Sequence, residues 1–177
     1  MKFENEERLI HLIKKGYLFI YPTDTVYGIG CNALIEESVK KIKQIKARDK
    51  DKPLSIIAPS KQWIFENLIA NEELIDNYLP GPYTLLLKKK NPEFLKEASS
   101  TGILGVRIPA HEFTKLIEKA GVPFITTSVN LSGEKPSSKI EDIKIDILEQ
   151  VDVVINDGAL SGTPSTIILE DGSELKR

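Results

Sequence analysis

Apolar positions along the chain fall into two rhythms. Leu9, Ile10, Leu12 and Ile13 cluster near one face of a helix over 4–15, and Gly16 follows where a helix C-terminus favours a left-handed residue. YLFIY at 17–21 runs without polar interruption and reads as a buried strand. Val39, Ile42 and Ile45 recur at helical spacing between lysines, which predicts a second amphipathic helix over 37–47 that delivers Lys46 and Arg48 at its end. PLSIIAP at 53–59 is strand-like, KQWIFENLIANEELIDNYL suggests one or two helices, and YTLLLKKK follows the turn PGP as a strand. GVRIP (105–109), VPFITTSVN, VDVVIN and STIIL (165–169) add strands, with EFTKLIEKAG a helix among them. Strands and helices alternate with hairpin-like spacings, so the expected class is α/β with a mixed sheet.

The length of 177 residues suits one folding unit, expected to span 1–177. A hydrophobic fraction of 41% beside 28% charged residues excludes a disordered composition. No apolar run reaches the ~20 residues of a membrane helix, and the first residues lack a signal-peptide core, so the expected location is the cytoplasm. Cys31 stands alone and the only histidines are His11 and His111, which gives no disulfide and no zinc spacing. A formal charge of -2 argues against binding nucleic acid through the overall field. Local basic patches remain at Lys40, Lys41, Lys43, Lys46, Arg48, Lys50 and Lys52, and at Lys88, Lys89 and Lys90.

The common phosphate-loop, dinucleotide, nucleophile-elbow and zinc-protease signatures are all missing. Strand ends are loaded with small hydroxyls and amides instead: Thr23 and Thr25; Thr126 to Ser128 with Asn130; Ser165 with Thr166. Such groups either satisfy loose backbone or line a site, and three clusters together favour a site. Arg107, inside an apolar frame, either faces water or is buried and needs an anion, carboxylate or phosphate fitting its fork best. His111, Cys31 and Trp63 read as structural. Asp24, between two threonines, reads as shaping its turn, and the polar loop LSGEKPSSK at 131–139 as a flap beside a strand that ends in hydroxyls.

Six segments, in order, resemble the YrdC/TsaC family of threonylcarbamoyl-AMP synthases in its short, single-domain form. YPTDTVYGIGCNA is similar to the family's P-T-D/E-T-V-Y-G, KARDKDKPLS to its K-x-R followed by N/K-P-L, and PGPYTLLL to its P-G-P-x-T. GVRIPAH, TTSVNLSGEKPSS and PSTIIL resemble its V-R-x-P, S-x-N-x-S-G and S-T-I/V. The resemblance implies a twisted mixed sheet with flanking helices and a concave, positively charged cavity. It further implies that L-threonine, bicarbonate and ATP give threonylcarbamoyl-AMP and pyrophosphate, for a downstream threonylcarbamoyl-transferase complex that modifies tRNA adenosine. Carried over, Thr25, Arg107, Thr126 and Ser165 would contact threonine. Arg48, Lys52, Ser128, Asn130, Ser137 and Arg177 would contact ATP, with Lys46 and Arg48 as the catalytic cations and Mg²⁺ bridging the phosphates. Asp49 replaces the family's proline and Ile57 a frequent histidine. The competing readings are an RNA-binding module that uses the basic face without ATP chemistry, and a carbamoyl-transfer domain of the hydrogenase-maturation type.

Overall fold

Local chemistry sets most of the helix ends. The computed structural model describes residues 5–49, 51–131 and 133–175. Helix α1 (Glu6–Lys14) starts at Asn5, whose side chain accepts the Arg8 N–H, and closes just before Gly16 at φ +81°, as its sequence pattern predicts. Strand β1 (Phe19–Tyr21) and strand β2 (Gly28–Gly30) follow, then α2 (Glu36–Ile45) and β3 (Ser55–Ile57). The stretch read as one or two helices is two, α3 (Lys61–Asn67) and α4 (Glu72–Tyr78), split by the short β4 (Leu68–Ile69). Next come β5 (Tyr83–Lys89), β6 (Ile103–Arg107), α5 (Glu112–Ala120) and β7 (Phe124–Ser128). A 3₁₀ turn at Ile140–Asp142, α6 (Ile145–Leu148), β8 (Val153–Val154), β9 (Thr166–Ile168) and β10 (Glu174–Leu175) complete the described chain.

The strands join in one twisted sheet in the order β10-β9-β5-β6-β3-β7-β2-β1-β8, with β4 beside the far end of β5. It is mixed: β1–β8, β3–β6 and β5–β9 are parallel and the remaining pairs antiparallel. The sequence pattern misses the short β4, β10 and α6, and also strand β2, where two glycines in GIG depress strand propensity. They are there for close approach. A Cβ on Gly30 would lie 1.9 Å from the Ile125 carbonyl oxygen.

Period-two alternation divides the sheet into unequal faces. One face carries Ile20, Ile29, Ile56, Leu85, Leu87, Leu104, Val106 and Ile125 into a core with Val39, Ile42, Ile64 and Ile75 from the helices. On the other, Phe19, Tyr21, Ile57 and Phe124 pack beneath α1 and α5 against Phe113, Leu116 and Ile117. Ile57 is thus core. Register then carries this second face past the helices: Ile57 pairs with Phe124 and Ser55 with Thr126, Tyr21 with Gly28, and Gly28 with Ser128. Beyond the last aromatic ring, the residues on that face turn small and polar.

Candidate active site

Where the second face turns polar, a cavity of about 430 Å³ opens, within the roughly 300–1,000 Å³ usual for small-molecule sites. Its floor is built from Ser55 on β3, Thr84 and Leu86 on β5, Arg107 on β6 and Thr126 and Ser128 on β7. Thr25 and Tyr27, Pro53 and Leu54, and Pro164 and Ser165 form the walls, with Arg48 at the rim. The floor is deep because Gly105, which faces Leu86, has no side chain; its Cβ would meet Ser55 Oγ at 2.4 Å.

Arg107 is buried at 7% exposure, so it needs an anion, and the structure supplies Asp24. Arg107 Nη2 donates to Asp24 Oδ1 at 2.8 Å and to Thr25 Oγ1 at 3.2 Å. The other carboxylate oxygen of Asp24 accepts the Ala110 N–H at 2.9 Å. Asp24 therefore shapes its turn, as the sequence reading holds, and in addition neutralises the buried guanidinium. Its carboxylate anchors the β1–β2 loop to the segment after β6. Ser161 Oγ and the Gly162 N–H both donate to the Thr25 carbonyl, at 2.8 and 3.0 Å, which holds the wall before Ser165 against this loop.

The second cationic element leaves α2 through a strained residue. Ala47 sits at φ +46°, a left-handed conformation that costs a non-glycine residue about 1–2 kcal/mol. The turn sends Lys46 inward and Arg48 to the cavity. Lys46 is 2% exposed; its ammonium donates to the Ser128 carbonyl and, at 2.7 Å, to that of Asn130. Burial, helped by neighbouring Arg48, lowers its pKa from 10.5 to about 8. Arg48 donates to the Pro53 carbonyl at 2.7 Å, and partial burial lowers its pKa too. Asp49 is spent locally, its Oδ1 accepting the Asp51 N–H at 3.2 Å.

All four residues assigned to threonine, Thr25, Arg107, Thr126 and Ser165, line the one cavity, together with Arg48 and Ser128 from the ATP set. Lys46 is not among the lining groups and reaches the site through the Ser128 and Asn130 carbonyls. Lys52 is exposed and its carbonyl accepts from Arg48 at 3.4 Å. Asn130 Nδ2 donates to the Leu131 and Glu134 carbonyls, both at 2.8 Å. Ser137 is buried and its carbonyl takes the Tyr27 N–H at 3.1 Å. Arg177 lies outside the described residues. Ser55, Thr84 and Tyr27 line the cavity unannounced by the sequence. For Ser55 and Thr84 alternation carried the signal, since each sits two positions from a neighbour on the same strand face.

Of the polar loop at 131–139, read as a flap, the described residues Glu134, Ser137 and Ser138 are bonded to other segments. Besides Ser137, Ser138 accepts the Leu160 N–H at 2.9 Å, and Glu134 pairs with Lys144. Within the lysine clusters Lys40, Lys41, Lys52, Lys88 and Lys90 are exposed, whereas other members turn inward. Lys43 is buried and its pKa lowered by desolvation, and Lys89 donates to the Pro92, Phe94 and Ser99 carbonyls. Lys90 donates to the Phe65 carbonyl at 2.6 Å. Lys50 lies outside the described residues. The buried Lys43, Lys46 and Lys89 are thereby withdrawn from any basic face that could meet RNA. His111 caps α5 by accepting the Phe113 N–H at 3.1 Å, and burial raises the Cys31 thiol, so both are structural as read.

The Sua5/YciO/YrdC family model, described under telomere recombination, matches residues 11–176. A Methanocaldococcus jannaschii protein is 37% identical over 177 residues, which cover 95% of this chain and 84% of that one. The threonylcarbamoyl-AMP synthase of Pyrococcus abyssi is 37% identical over 164 residues, 88% of this chain but 48% of the relative, so the chain spans about half its length. Among solved structures, P. abyssi Sua5 complexed with L-threonine superposes with a TM-score of 0.82 at 30% identity, over 96% of this chain and 52% of that one. Escherichia coli YciO gives 0.79 at 26% identity, over 93% and 82%. With the site's hydroxyls, its buried arginine and its sheet order already in place, these matches establish that the chain belongs to the Sua5/YciO/YrdC family.

Proposed function

We propose that the chain is a threonylcarbamoyl-AMP synthase, joining L-threonine, bicarbonate and the AMP part of ATP and releasing pyrophosphate. One observation carries this reading. Thr25, Arg107, Thr126 and Ser165 converge on a single cavity, in a fold shared with a P. abyssi protein solved with L-threonine. The threonine amine adds to CO₂ derived from bicarbonate, forming an N–C bond and losing a proton. A carbamate oxygen then attacks the α-phosphorus, and the bond to pyrophosphate breaks. Both steps need alignment and charge compensation more than a strong acid. In this scheme Arg107 holds the amino-acid carboxylate and Arg48 the phosphates. Lys46 fixes the end of β7 through two carbonyls, while Lys52, Asn130 and Ser137 frame the nucleotide side.

Among the described residues no three His, Cys, Asp or Glu side chains group so as to hold a metal. A donor set of hydroxyls and cations fits Mg²⁺ only as part of the ATP complex, ligated by the phosphates and water. The product would pass to a threonylcarbamoyl-transferase complex acting on tRNA adenosine. No helix among the described residues is long and apolar enough to cross a membrane. The reaction we propose needs none, its substrates being those of the cytoplasm.

Pyrophosphate release with ATP, bicarbonate and each amino acid in turn tests the reading. Release is expected with threonine and at most weakly with other amino acids; equal release without threonine refutes it. A second expectation concerns the floor. Gly105→Ala puts a methyl group against Ser55 Oγ and, at 3.4 Å, Thr84 Cγ2, so the cavity narrows and Ser55 must turn. Overpacking of this kind costs about 1–3 kcal/mol. Thermal unfolding should move down by several degrees and the KM for threonine should rise.

A further inference from the structure

The hydroxyls of the cavity are not interchangeable. Each has one proton and two lone pairs, and its neighbours decide where the proton goes. Tyr21 is fully buried, stacked on Phe113 with centroids 4.3 Å apart and edge-on to Phe124 at 5.5 Å. Burial raises its pKa far above the phenol range, so it stays protonated and donates. Its hydroxyl lies 2.6 Å from Thr126 Oγ1 and 3.5 Å from the Ile125 carbonyl. The longer contact is at the limit of a hydrogen bond, so the phenolic proton goes to Thr126. Thr126 is then an acceptor on its core side. Among the described residues no acceptor takes its own proton, and the cavity is what remains.

Thr25 is polarised in the reverse sense. Thr23 Oγ1 gives its only proton to the Val26 carbonyl at 2.8 Å, so in the 2.8 Å contact between Thr23 and Thr25 the proton belongs to Thr25. Arg107 Nη2 donates to the same Thr25 oxygen. What Thr25 can still offer is a lone pair. The cavity thus presents a donor at Thr126 and an acceptor at Thr25.

We infer that Tyr21 is a positioning residue: by donating to Thr126 it turns the Thr126 hydroxyl into a fixed hydrogen-bond donor, which seats the amino acid's carboxylate there and leaves its proton-bearing groups to Thr25. Arg107 lines the same cavity, so the carboxylate meets a guanidinium and an aligned hydroxyl. The inference rests on the threonine-binding reading above. It adds to that reading the orientation of the amino acid and a residue that touches no substrate.

Calorimetric titration of L-threonine into the intact chain, Tyr21→Phe, Thr126→Val and the double variant tests it, with a non-hydrolysable ATP analogue titrated in parallel. Tyr21→Phe keeps the stacked ring and is expected to weaken threonine about tenfold, equal to about 1.4 kcal/mol, and to leave the ATP analogue unchanged. Thr126→Val should weaken threonine at least as much, and the double variant no further, because Tyr21 acts only through Thr126. Thr126→Ser, which keeps the hydroxyl, should retain threonine affinity. An unchanged threonine affinity in Tyr21→Phe, additive losses in the double variant, an equal loss for the ATP analogue, or Thr126→Ser as weak as Thr126→Val each overturns the inference while leaving the proposed function standing. Failure of the intact chain to bind threonine overturns both.

Discussion

Arg107→Ala is expected to reduce threonine-dependent pyrophosphate release by about two to three orders of magnitude, in step with the 2–5 kcal/mol lost when one partner of a buried, hydrogen-bonded charge pair is truncated. The same change should also unsettle the fold. It strands the Asp24 carboxylate, whose side chain is 11% exposed, without its counter-charge, and breaking a buried pair from one side costs about 3–5 kcal/mol. Activity and stability separate in a second variant. Asp24→Asn combined with Arg107→Met removes both charges while keeping an acceptor for the Ala110 N–H, so thermal stability should recover most of the way. Threonine binding should not recover, because the guanidinium fork is still missing. If the double variant regains threonine-dependent turnover, Arg107 is a structural residue and not the carboxylate ligand.

Lys46→Ala is expected to have the second largest effect. Two carbonyls, Ser128 and Asn130, lose their common donor in a buried place, at about 1–3 kcal/mol for each orphaned group. The end of β7, which carries Ser128 into the cavity, then loses its anchor, and ATP use should fall with it. The pH dependence has a definite sign. The folded chain releases the Lys46 proton near pH 8, the unfolded chain near the ordinary 10.5. Between those values the unfolded state binds more protons, so this residue's contribution to stability rises with pH across the window. In the proposed reaction catalysis moves the opposite way, because the ammonium that holds the Ser128 and Asn130 carbonyls is disappearing. We expect kcat/KM for ATP to decline above about pH 8 and the midpoint to move upward when phosphates are bound, since an anion favours the charged form. Lys46→Arg, which cannot be deprotonated in this range, should show no such limb. Persistence of the decline in that variant assigns it to another group.

The two predictions show how differently the site's parts could be read beforehand. The end of α2 is legible from apolar spacing: Val39, Ile42 and Ile45 face the core, and the pattern stops where Lys46 and Arg48 begin. That Lys46 turns into the protein while Arg48 turns to the cavity is not legible. It depends on Ala47 accepting a left-handed conformation, for which alanine gives no signal. Lys40, Lys41, Lys52 and Lys88 are exposed, as a solvated face requires, but the buried members of the lysine clusters were illegible for a related reason. Charge runs resemble a solvated face, yet Lys89 reaches three carbonyls that lie close only after β5 and the segment behind it have packed. The loop at 131–139 has the composition of a flap, and the bonds from Tyr27 and Leu160 to its Ser137 and Ser138 come from distant parts of the chain.

By itself the sequence determined the helices except the short α6, most of the strands and the residue types of the site, because helix and strand periodicity, caps and turns are local properties carried by neighbours a few positions apart. It also carried the family segments in order. The tertiary structure alone decided β2, whose glycines look like a turn until the Ile125 backbone is brought against Gly30. It alone decided the state of Arg107, since Asp24, which meets it, lies 83 residues away in the chain. And it alone gave each hydroxyl its sense: whether Thr126 donates or accepts is fixed by Tyr21, 105 positions distant, through a bond that exists only once sheet register has set the two side chains on one face.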